Sequence, residues 1–178
     1  ETVAPAAGMN RWGAAREKGR LLSATSVIIP VGPGDESWRA LNSDLRNARF
    51  GGELIFSATV PPPEDWEALE ASHAAAKRTT WISSPAGRAR QMNEGARVAT
   101  GEFTWFVHAD SRVDPSAVAA LDAMLKLDGS QLYYFDLAFL ADGPRFAQLN
   151  AKGANLRSRW LGMPFGDQAF CLRRSTFL

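Results

Sequence analysis

A histidine and an aspartate, His108 and Asp110, stand two positions apart directly after an apolar run. A carboxylate offers the hard oxygen ligand that Mg²⁺ or Mn²⁺ prefers, and such an ion also holds substrate phosphates. Alternate residues of a strand point the same way, so both side chains can reach one ion. A neutral imidazole in place of a second carboxylate shifts the preference toward Mn²⁺. The other interpretation is a turn at Asp110 that precedes the next helix.

Two arginines, Arg88 and Arg90, open a helix that begins after Gly87. The amides and the positive dipole at a helix N-terminus favour an anion, and guanidinium groups add bidentate hydrogen bonds to phosphate. The alternative is a solvated basic face. Asn93 and Gly95 both lower helix propensity in mid-helix. We therefore expect a specific hydrogen bond at Asn93 and the close approach of another backbone at Gly95.

Asp167 and Gln168 follow a loop fixed by glycine and proline, between Gly162 and Gly166. An aspartate here can act as a general base, with Gln168 facing a polar acceptor. The competing interpretation of Asp167 is an aspartate that caps a helix or closes a turn. His73 and Cys171 are each interpreted as packing residues of the core.

Strands and single helices alternate along most of the chain, which indicates a mainly parallel sheet with helices on both faces, an α/β three-layer sandwich. The predicted strands are 26–31, 53–59, 79–83, 103–107, 132–140 and 169–173. Helices are predicted after Asp35, after Pro61, after Gly87, after Asp114 and over 145–160, the last burying Phe146, Leu149, Gly153, Leu156 and Trp160. Ligands of such sheets bind at the C-terminal ends of the strands, near a switch in strand order.

The composition is that of an ordinary globular domain, with 178 residues, 46% hydrophobic and 22% charged. A net charge of +1 argues against nucleic acid as a partner. We see no apolar run long enough to span a bilayer. One cysteine favours a reducing compartment, so we expect a cytoplasmic location. Residues 1–24 are predicted to be an extension, partly disordered or helical, that precedes one domain at 26–178.

Five segments in a fixed order resemble the family 2 glycosyltransferases, which have the GT-A fold of nucleotide-diphospho-sugar transferases. They are Val27-Ile-Ile-Pro30, Gly87-Arg-Ala-Arg-Gln-Met-Asn-Glu-Gly95, Ala99-Thr-Gly-Glu102, Phe106-Val-His-Ala-Asp110 and Pro164-Phe-Gly-Asp-Gln168. The sequence is most similar to a small bacterial subgroup whose metal motif reads His-Ala-Asp. The resemblance implies metal-assisted, inverting transfer of a sugar from a nucleotide-diphosphate donor to an acceptor hydroxyl. The identity of the acceptor is left open, and a homodimer is possible.

The resemblance also assigns residues to the donor. It implies that Pro30 ends the first strand beside the nucleotide and that Arg88 and Arg90 lie in the segment that meets the donor. Asn93 belongs to the motif that follows, and Asp110 contacts the donor through the metal.

For the metal and the acceptor, the resemblance implies two further pairs. Asp110 corresponds to the metal-binding acid, with His108 at the position of its partner, and the ion would be Mn²⁺ or Mg²⁺. Asp167 and Gln168 match the loop beside the acceptor.

Two features depart from the family pattern. Family members usually end the second strand with an aspartate that contacts the nucleoside, where this chain has Ser57 and Thr59. The segment that carries the family's general base normally follows the point at which this sequence stops, Leu178. Either the chain is truncated at its C-terminus, or Asp167 is a substitute base, or catalysis is lost. The alternative function is a non-catalytic or degenerate nucleotide-sugar-binding domain on the same fold.

Overall fold

A five-stranded sheet forms the centre of the computed structural model, which describes residues 22–127, 130–138 and 145–178. For residues 127 and 145–149 only the backbone is described. The strands are β1 (Thr25–Val31), β2 (Glu53–Ala58), β3 (Arg78–Ser83), β4 (Phe103–Phe106) and β5 (Cys171–Arg173), in the order β3-β2-β1-β4-β5. The first four strands run parallel, and β5 is antiparallel to β4. The strand order therefore switches direction between β1 and β4.

Six helices of the described residues surround this sheet. They are α1 (Trp38–Asn47), α2 (Trp66–Ala71), α3 (Arg88–Val98), α4 (Pro115–Leu127), α5 (Arg145–Leu161) and α6 (Arg174–Phe177). Alternate residues of β1 face opposite sides of the sheet. Val27 and Ile29 pack in the cluster that contains α1 and α4, whereas Ile28 packs against α3. This confirms the predicted three-layer α/β sandwich with a mainly parallel sheet.

Strand β1 is buried along its whole length because both of its faces are covered by helices. Its β-branched run suits such a position, where side chains on both sides of the pleat leave water. Val27 lies opposite Leu54 of β2, and Ile28 lies opposite Phe106 of β4. The continuous apolar run in the sequence thus marks the central strand of the sheet.

Close packing at two glycines fixes helix α3 against β1. A Cβ atom on Gly95 would lie 2.4 Å from Cγ2 of Ile28, so the predicted close approach exists, although a side chain and not a backbone causes it. A Cβ atom on Gly101 would lie 2.7 Å from the carbonyl oxygen of Ala24. Gly101 lies beyond the end of α3, which is Val98. Both glycines let backbone and helix approach β1.

The N-terminal ends of the strands are held together by a buried carboxylate. It belongs to Glu53, which is 1% exposed. The Ser26 hydroxyl donates to it at 2.6 Å, the Thr100 amide at 2.8 Å and Arg78 Nε at 2.6 Å. Burial alone would raise the pKa of Glu53, but these three donors together hold it below its ordinary value. One side chain therefore joins β1, β2, β3 and the chain after α3.

Two sequence predictions fail in the last third of the chain. Over 132–138 of the predicted 132–140 strand, the structure has only an isolated bridge between Tyr133 and Cys171; residues 139 and 140 lie outside the described part. Helix α5 buries Ala151 and Ala154, whereas Leu156 and Trp160 are exposed. Apolar residues lie on both faces of this helix, and the face that packs against the fold carries the small residues Ala151 and Ala154.

Of the other predicted α5 packing positions, Gly153 is exposed, and the side chains of Phe146 and Leu149 lie outside the described residues. Most of the predicted extension 1–24 does as well, since only its last three residues are described. The last strand is shorter than predicted, because Ala169 has a positive φ of 51° and the strand begins at Cys171.

His73 is a buried packing residue, as predicted, and it makes the stability of the fold depend on pH. Its Nε2–H donates to the Asn42 side-chain oxygen at 2.7 Å. Burial, and then the charge of Arg46, lowers the pKa of His73 below 6.5. As the pH falls below 6.5, His73 binds a proton in the unfolded chain while it remains neutral in the folded chain. We expect the free energy of unfolding to fall over that range, as urea titrations at several pH values would show.

The matched control for this prediction is His73→Gln, which keeps a hydrogen-bond donor without a titrating group. Its stability should change less between pH 7 and the acid side of 6.5 than that of the parent. An equal slope in both proteins would contradict the assignment to His73.

Candidate functional site

Pro30 lies where strand β1 loses its neighbour β4. The Ile28 carbonyl accepts a hydrogen bond from the Val107 amide at 3.1 Å, so the backbone groups of Ile28 and Pro30 face the β4 side. The next ladder bond would run from the amide of residue 30 to the Val107 carbonyl, and Pro30 has no N–H, so the pairing of β1 with β4 ends there. The C-terminal ends of β1 and β4 thus part at the switch in strand order, the place where open α/β sheets bind ligands.

The segment that holds His108 and Asp110 is a turn. Strand β4 ends at Phe106, and the His108 carbonyl accepts from the Ser111 amide at 3.0 Å. The expectation that the two side chains point the same way because they alternate along a strand is therefore wrong. His108 is buried and Asp110 is exposed. Their proximity comes from the tight turn and not from the pleat of a strand.

The His108 ring is influenced by the charges of several neighbouring residues. Its side chain is buried, and Nε2 has no hydrogen-bond partner among the described residues. Burial is the main cause that lowers the pKa of His108, and the positive charge of Arg88 lowers it further. The negative charges of Asp110 and Asp167 act on the same ring in the opposite direction. The fold therefore brings residues from three separate segments within electrostatic reach of one neutral imidazole.

Arg88 and Arg90 lie exposed at the start of α3. Within the described part of the chain, neither forms an ion pair. This exposure suits an anion site and a solvated basic face equally, so anion binding at Arg88 and Arg90 stays a prediction. Asn93 is exposed as well, and no hydrogen bond of its side chain is found among the described residues, so the predicted specific contact remains a prediction.

Gln91, which the sequence analysis did not single out, is the polar residue of α3 that points into the fold. It is 5% exposed, and its Nε2 donates to the carbonyl oxygens of Val31 at 2.7 Å and Ser57 at 2.8 Å. One amide group therefore holds together the C-terminal ends of β1 and β2. The available signal was a glutamine one residue after Arg90, on the face that carries Gly95.

Two hydroxyl groups lie at the C-terminal end of β2, on Ser57 within the strand and on Thr59 just after it. The Oγ of Ser57 and the Oγ1 of Thr59 are buried, and neither has a hydrogen-bond partner among the described residues. An unpaired buried hydroxyl costs free energy unless a ligand or water satisfies it. These are the residues that stand where the family pattern has an aspartate.

The loop before β5 presents Asp167 and buries Gln168. Asp167 is exposed in a turn. Gln168 is 1% exposed; its Oε1 accepts from the Ser158 hydroxyl and from the Phe165 amide, both at 2.7 Å, and its Nε2 donates to the Phe135 carbonyl at 3.1 Å. Gln168 therefore holds the loop on α5. Contact of Gln168 with an acceptor stays a prediction; the second N–H of its amide is the group left for it.

Solved structures share this architecture. The chain is similar to residues 1–349 of S. aureus TarS at 16% identity, covering 67% of this chain and 37% of that one, with a TM-score of 0.51. The same protein in complex with UDP-GlcNAc matches at 16% identity and a TM-score of 0.51, covering 67% and 36%. A further TarS structure matches at 15% identity with a TM-score of 0.53, covering 67% of this chain and 22% of that one. The fold is that of the GT-A-type glycosyltransferases.

The chain spans 37% or less of the length of these TarS chains, so the GT-A-type fold is shared only in part. No protein-family model matches the sequence, and a comparison with curated proteins finds no match. In the described part of the chain, no helix is long and apolar enough to cross a membrane.

Metal binding on this GT-A-type fold would depend on few protein ligands. Among the described residues, no group of three or more His, Cys, Asp or Glu side chains is arranged to hold an ion. Mg²⁺-type ions in phosphate-binding sites often take one or two carboxylates from the protein and the remaining ligands from substrate and water. The unpartnered Nε2 of His108 and the exposed carboxylate of Asp110 suit such a shared site. The residues therefore fit an ion that binds together with a diphosphate.

Proposed function

We propose that this chain transfers a sugar from a nucleotide-diphosphate donor to an acceptor hydroxyl, with metal assistance and inversion. The observation that supports the proposal is that the charges of Arg88, Asp110 and Asp167 all act on the buried His108 ring, in the turn that follows β4 at the switch in strand order. A cationic side chain, an acid suited to a metal and a second acid are thereby gathered where this fold class binds ligands.

The donor's diphosphate is proposed to lie between the α3 N-terminus and the His108 turn. Arg88 and Arg90 bind its oxygens there, supported by the amides of the first turn of α3. Asp110 and His108 would hold Mn²⁺ or Mg²⁺. Such an ion, when bound, neutralises charge that develops on the departing diphosphate. Pro30 borders the nucleotide, and the hydroxyls of Ser57 and Thr59 supply neutral contacts to the nucleoside.

Transfer itself is assigned to Asp167. Its carboxylate takes the proton from the acceptor hydroxyl, and the oxygen forms a bond to the anomeric carbon of the donor. The bond from that carbon to the diphosphate breaks, and the electron pair leaves with the diphosphate, which inverts the configuration. Asn93 and Gln168 are proposed to position the donor segment and the acceptor loop. The chemistry of the acceptor is left open.

The cytoplasmic location stays part of this proposal. Its support is Cys171, a buried free thiol whose pKa burial raises to about 12. Such a thiol is unreactive and belongs to the core, and it is compatible with a reducing compartment.

Nucleotide binding tests the donor site most directly. Calorimetric titration with UDP or GDP in the presence of Mn²⁺ should show binding. Arg88→Ala should weaken it by roughly 10- to 100-fold, the value of a charge-assisted contact to phosphate. The matched control is Arg97→Ala, at the other end of α3, where the guanidinium pairs with Glu94. Equal losses in the two variants would argue against a donor site at the α3 N-terminus.

A second function, binding of a nucleotide sugar without transfer, is favoured by one observation. Ser57 and Thr59 place neutral hydroxyls where the family pattern has an acid. Hydrolysis of UDP- and GDP-sugars, measured with Mn²⁺ and with Mg²⁺, separates the two functions. Turnover that is lost in Asp167→Asn supports the transferase, whereas binding without turnover supports the binding domain.

A further inference from the structure

An exposed apolar surface lies at the C-terminal end of α5 and in the loop that follows. We call it the α5 patch; it consists of Leu156, Trp160, Leu161, Met163 and Phe165, which are 58%, 81%, 67%, 56% and 41% exposed. Leu156 and Trp160 stand four positions apart, on the face of α5 opposite the buried Ala154 and Ser158. An exposed tryptophan is a large apolar group that water solvates poorly, so we expect this surface to bind a partner.

The partner's charge follows from the basic residues of the same helix. The α5 sequence contains no acidic residue, while Lys152, Arg157 and Arg159 lie in its middle and C-terminal part; Arg159 pairs with Asp136, so Lys152 and Arg157 carry the uncompensated positive charge. Lys152 is exposed one turn before Leu156 on the outer face. Because the whole chain carries a net charge of only +1, this positive charge is a local feature. It complements an anionic partner.

Arginine stacking joins the helix and the loop into one surface. The Arg157 guanidinium carbon lies 3.4 Å from the centre of the Phe165 ring. The Phe165 amide donates to Gln168, whose side chain is also bound by Ser158 of α5. The loop is thus held against the helix. Asp167 follows Phe165 by two residues, so the α5 patch borders the proposed acceptor side of the site.

We propose that the α5 patch docks on the headgroup region of an anionic lipid bilayer. Tryptophan, leucine and phenylalanine insert at the boundary between headgroups and acyl chains, and lysine and arginine bind lipid phosphates, as in interfacial amphipathic helices. The attachment is peripheral. It places Asp167 next to the membrane surface, so an acceptor held in that bilayer would present its hydroxyl at the site without leaving the lipid.

Vesicle co-sedimentation tests the docking directly. The whole chain is mixed with vesicles of phosphatidylcholine alone, or of phosphatidylcholine with an equal share of phosphatidylglycerol. We expect binding to the anionic vesicles that weakens as salt is added. Trp160→Ser should reduce the partition coefficient by roughly tenfold. Lys152→Gln should reduce it about fivefold, the value of one basic side chain at an anionic surface.

A matched pair of leucines provides the control. Leu161 and Leu178 are 67% and 65% exposed. Leu178 lies beyond Arg174, whose amide bonds to Glu102 at the opposite edge of the sheet. Leu161→Ser should weaken vesicle binding and Leu178→Ser should not, while circular dichroism confirms that each variant is folded.

Three results would overturn the proposal: no binding of the parent chain to anionic vesicles, equal losses from Leu161→Ser and Leu178→Ser, or a dimer in solution that Trp160→Ser dissociates. The last would assign the α5 patch to a second copy of the chain. Nucleotide binding without vesicles is measured in parallel. Its failure would count against the proposed transferase and would leave the membrane surface standing.

Discussion

Asp110→Asn is expected to weaken Mn²⁺-dependent binding of UDP or GDP by at least about a hundredfold. Even partners that only orient metal ligands are worth about 10- to 100-fold in metal affinity, and Asp110 is proposed as a ligand itself. Asparagine keeps the size of the side chain but removes the charge that attracts the ion. His108, a neutral donor, cannot replace it, because hard divalent ions prefer carboxylate oxygens.

The measurement is a nucleotide titration at several Mn²⁺ concentrations, with Asp65→Asn as control. Asp65 is an exposed carboxylate that pairs with Arg39 on the surface beside α1 and α2. Removing its charge should leave nucleotide binding unchanged. If Asp110→Asn binds as well as the parent, the metal assignment at the His108 turn is wrong and the turn is merely structural.

Glu53→Ala is expected to lower the free energy of unfolding by about 3 kcal/mol, because removing this buried carboxylate leaves a buried hydroxyl and a backbone amide without their acceptor. The Ser26 hydroxyl and the Thr100 amide would lose their acceptor, and Arg78 would lose its partner. The pKa of Glu53 is lowered in the folded chain. Its contribution is therefore present above the ordinary value of 4.5 and is lost as the pH falls through the folded pKa.

Urea unfolding at neutral and at acid pH measures both effects. Glu102→Ala is the matched control, since Glu102 also pairs with an arginine, Arg173, but both side chains are largely exposed. An exposed pair is worth less than about 1 kcal/mol. Equal losses in the two variants would show that the Glu53 network does not join the strands as described.

The sequence predicts the elements around β1 well, because local pattern and tertiary environment agree there. The run at Val27, Ile28 and Ile29 has side chains that suit burial on both faces, and only a central strand offers that. The helix after Gly87 was also predictable, since Arg88 and Gly95 mark its exposed start and its contact with the sheet. Sequence pattern was sufficient where each residue has one suitable environment.

The segment 132–140 shows why other predictions fail. Its aromatic residues are good strand formers, yet side chains from elsewhere bind its backbone. The Leu137 amide donates to the Asn155 oxygen at 2.7 Å, and the Leu137 carbonyl accepts from the same amide group at 2.8 Å. Phe135 similarly donates to the Gln168 carbonyl at 2.8 Å. These partners lie 18 or more residues away, and no local pattern reveals them.

The geometry around the candidate site residues was not predictable from the sequence. Residues His108 and Asp110 share a tight turn instead of a strand face, and Gln168 is buried as a clamp of the loop. Gln91 escaped notice because its two acceptors, Val31 and Ser57, are main-chain oxygens at the ends of different strands. Side-chain contacts to backbone atoms of distant elements are what the sequence pattern did not reveal here.

Pro30 also affects how the chain can assemble during synthesis. Strand β1 can pair with β2 as soon as residues 53–58 are made, but its other side waits for residues 103–106. In that interval β1 presents an open apolar strand edge, which is a template for pairing with other chains. Pro30 removes one hydrogen-bond donor from that waiting edge. We therefore expect Pro30 to disfavour pairing of this edge with another chain before β4 is made.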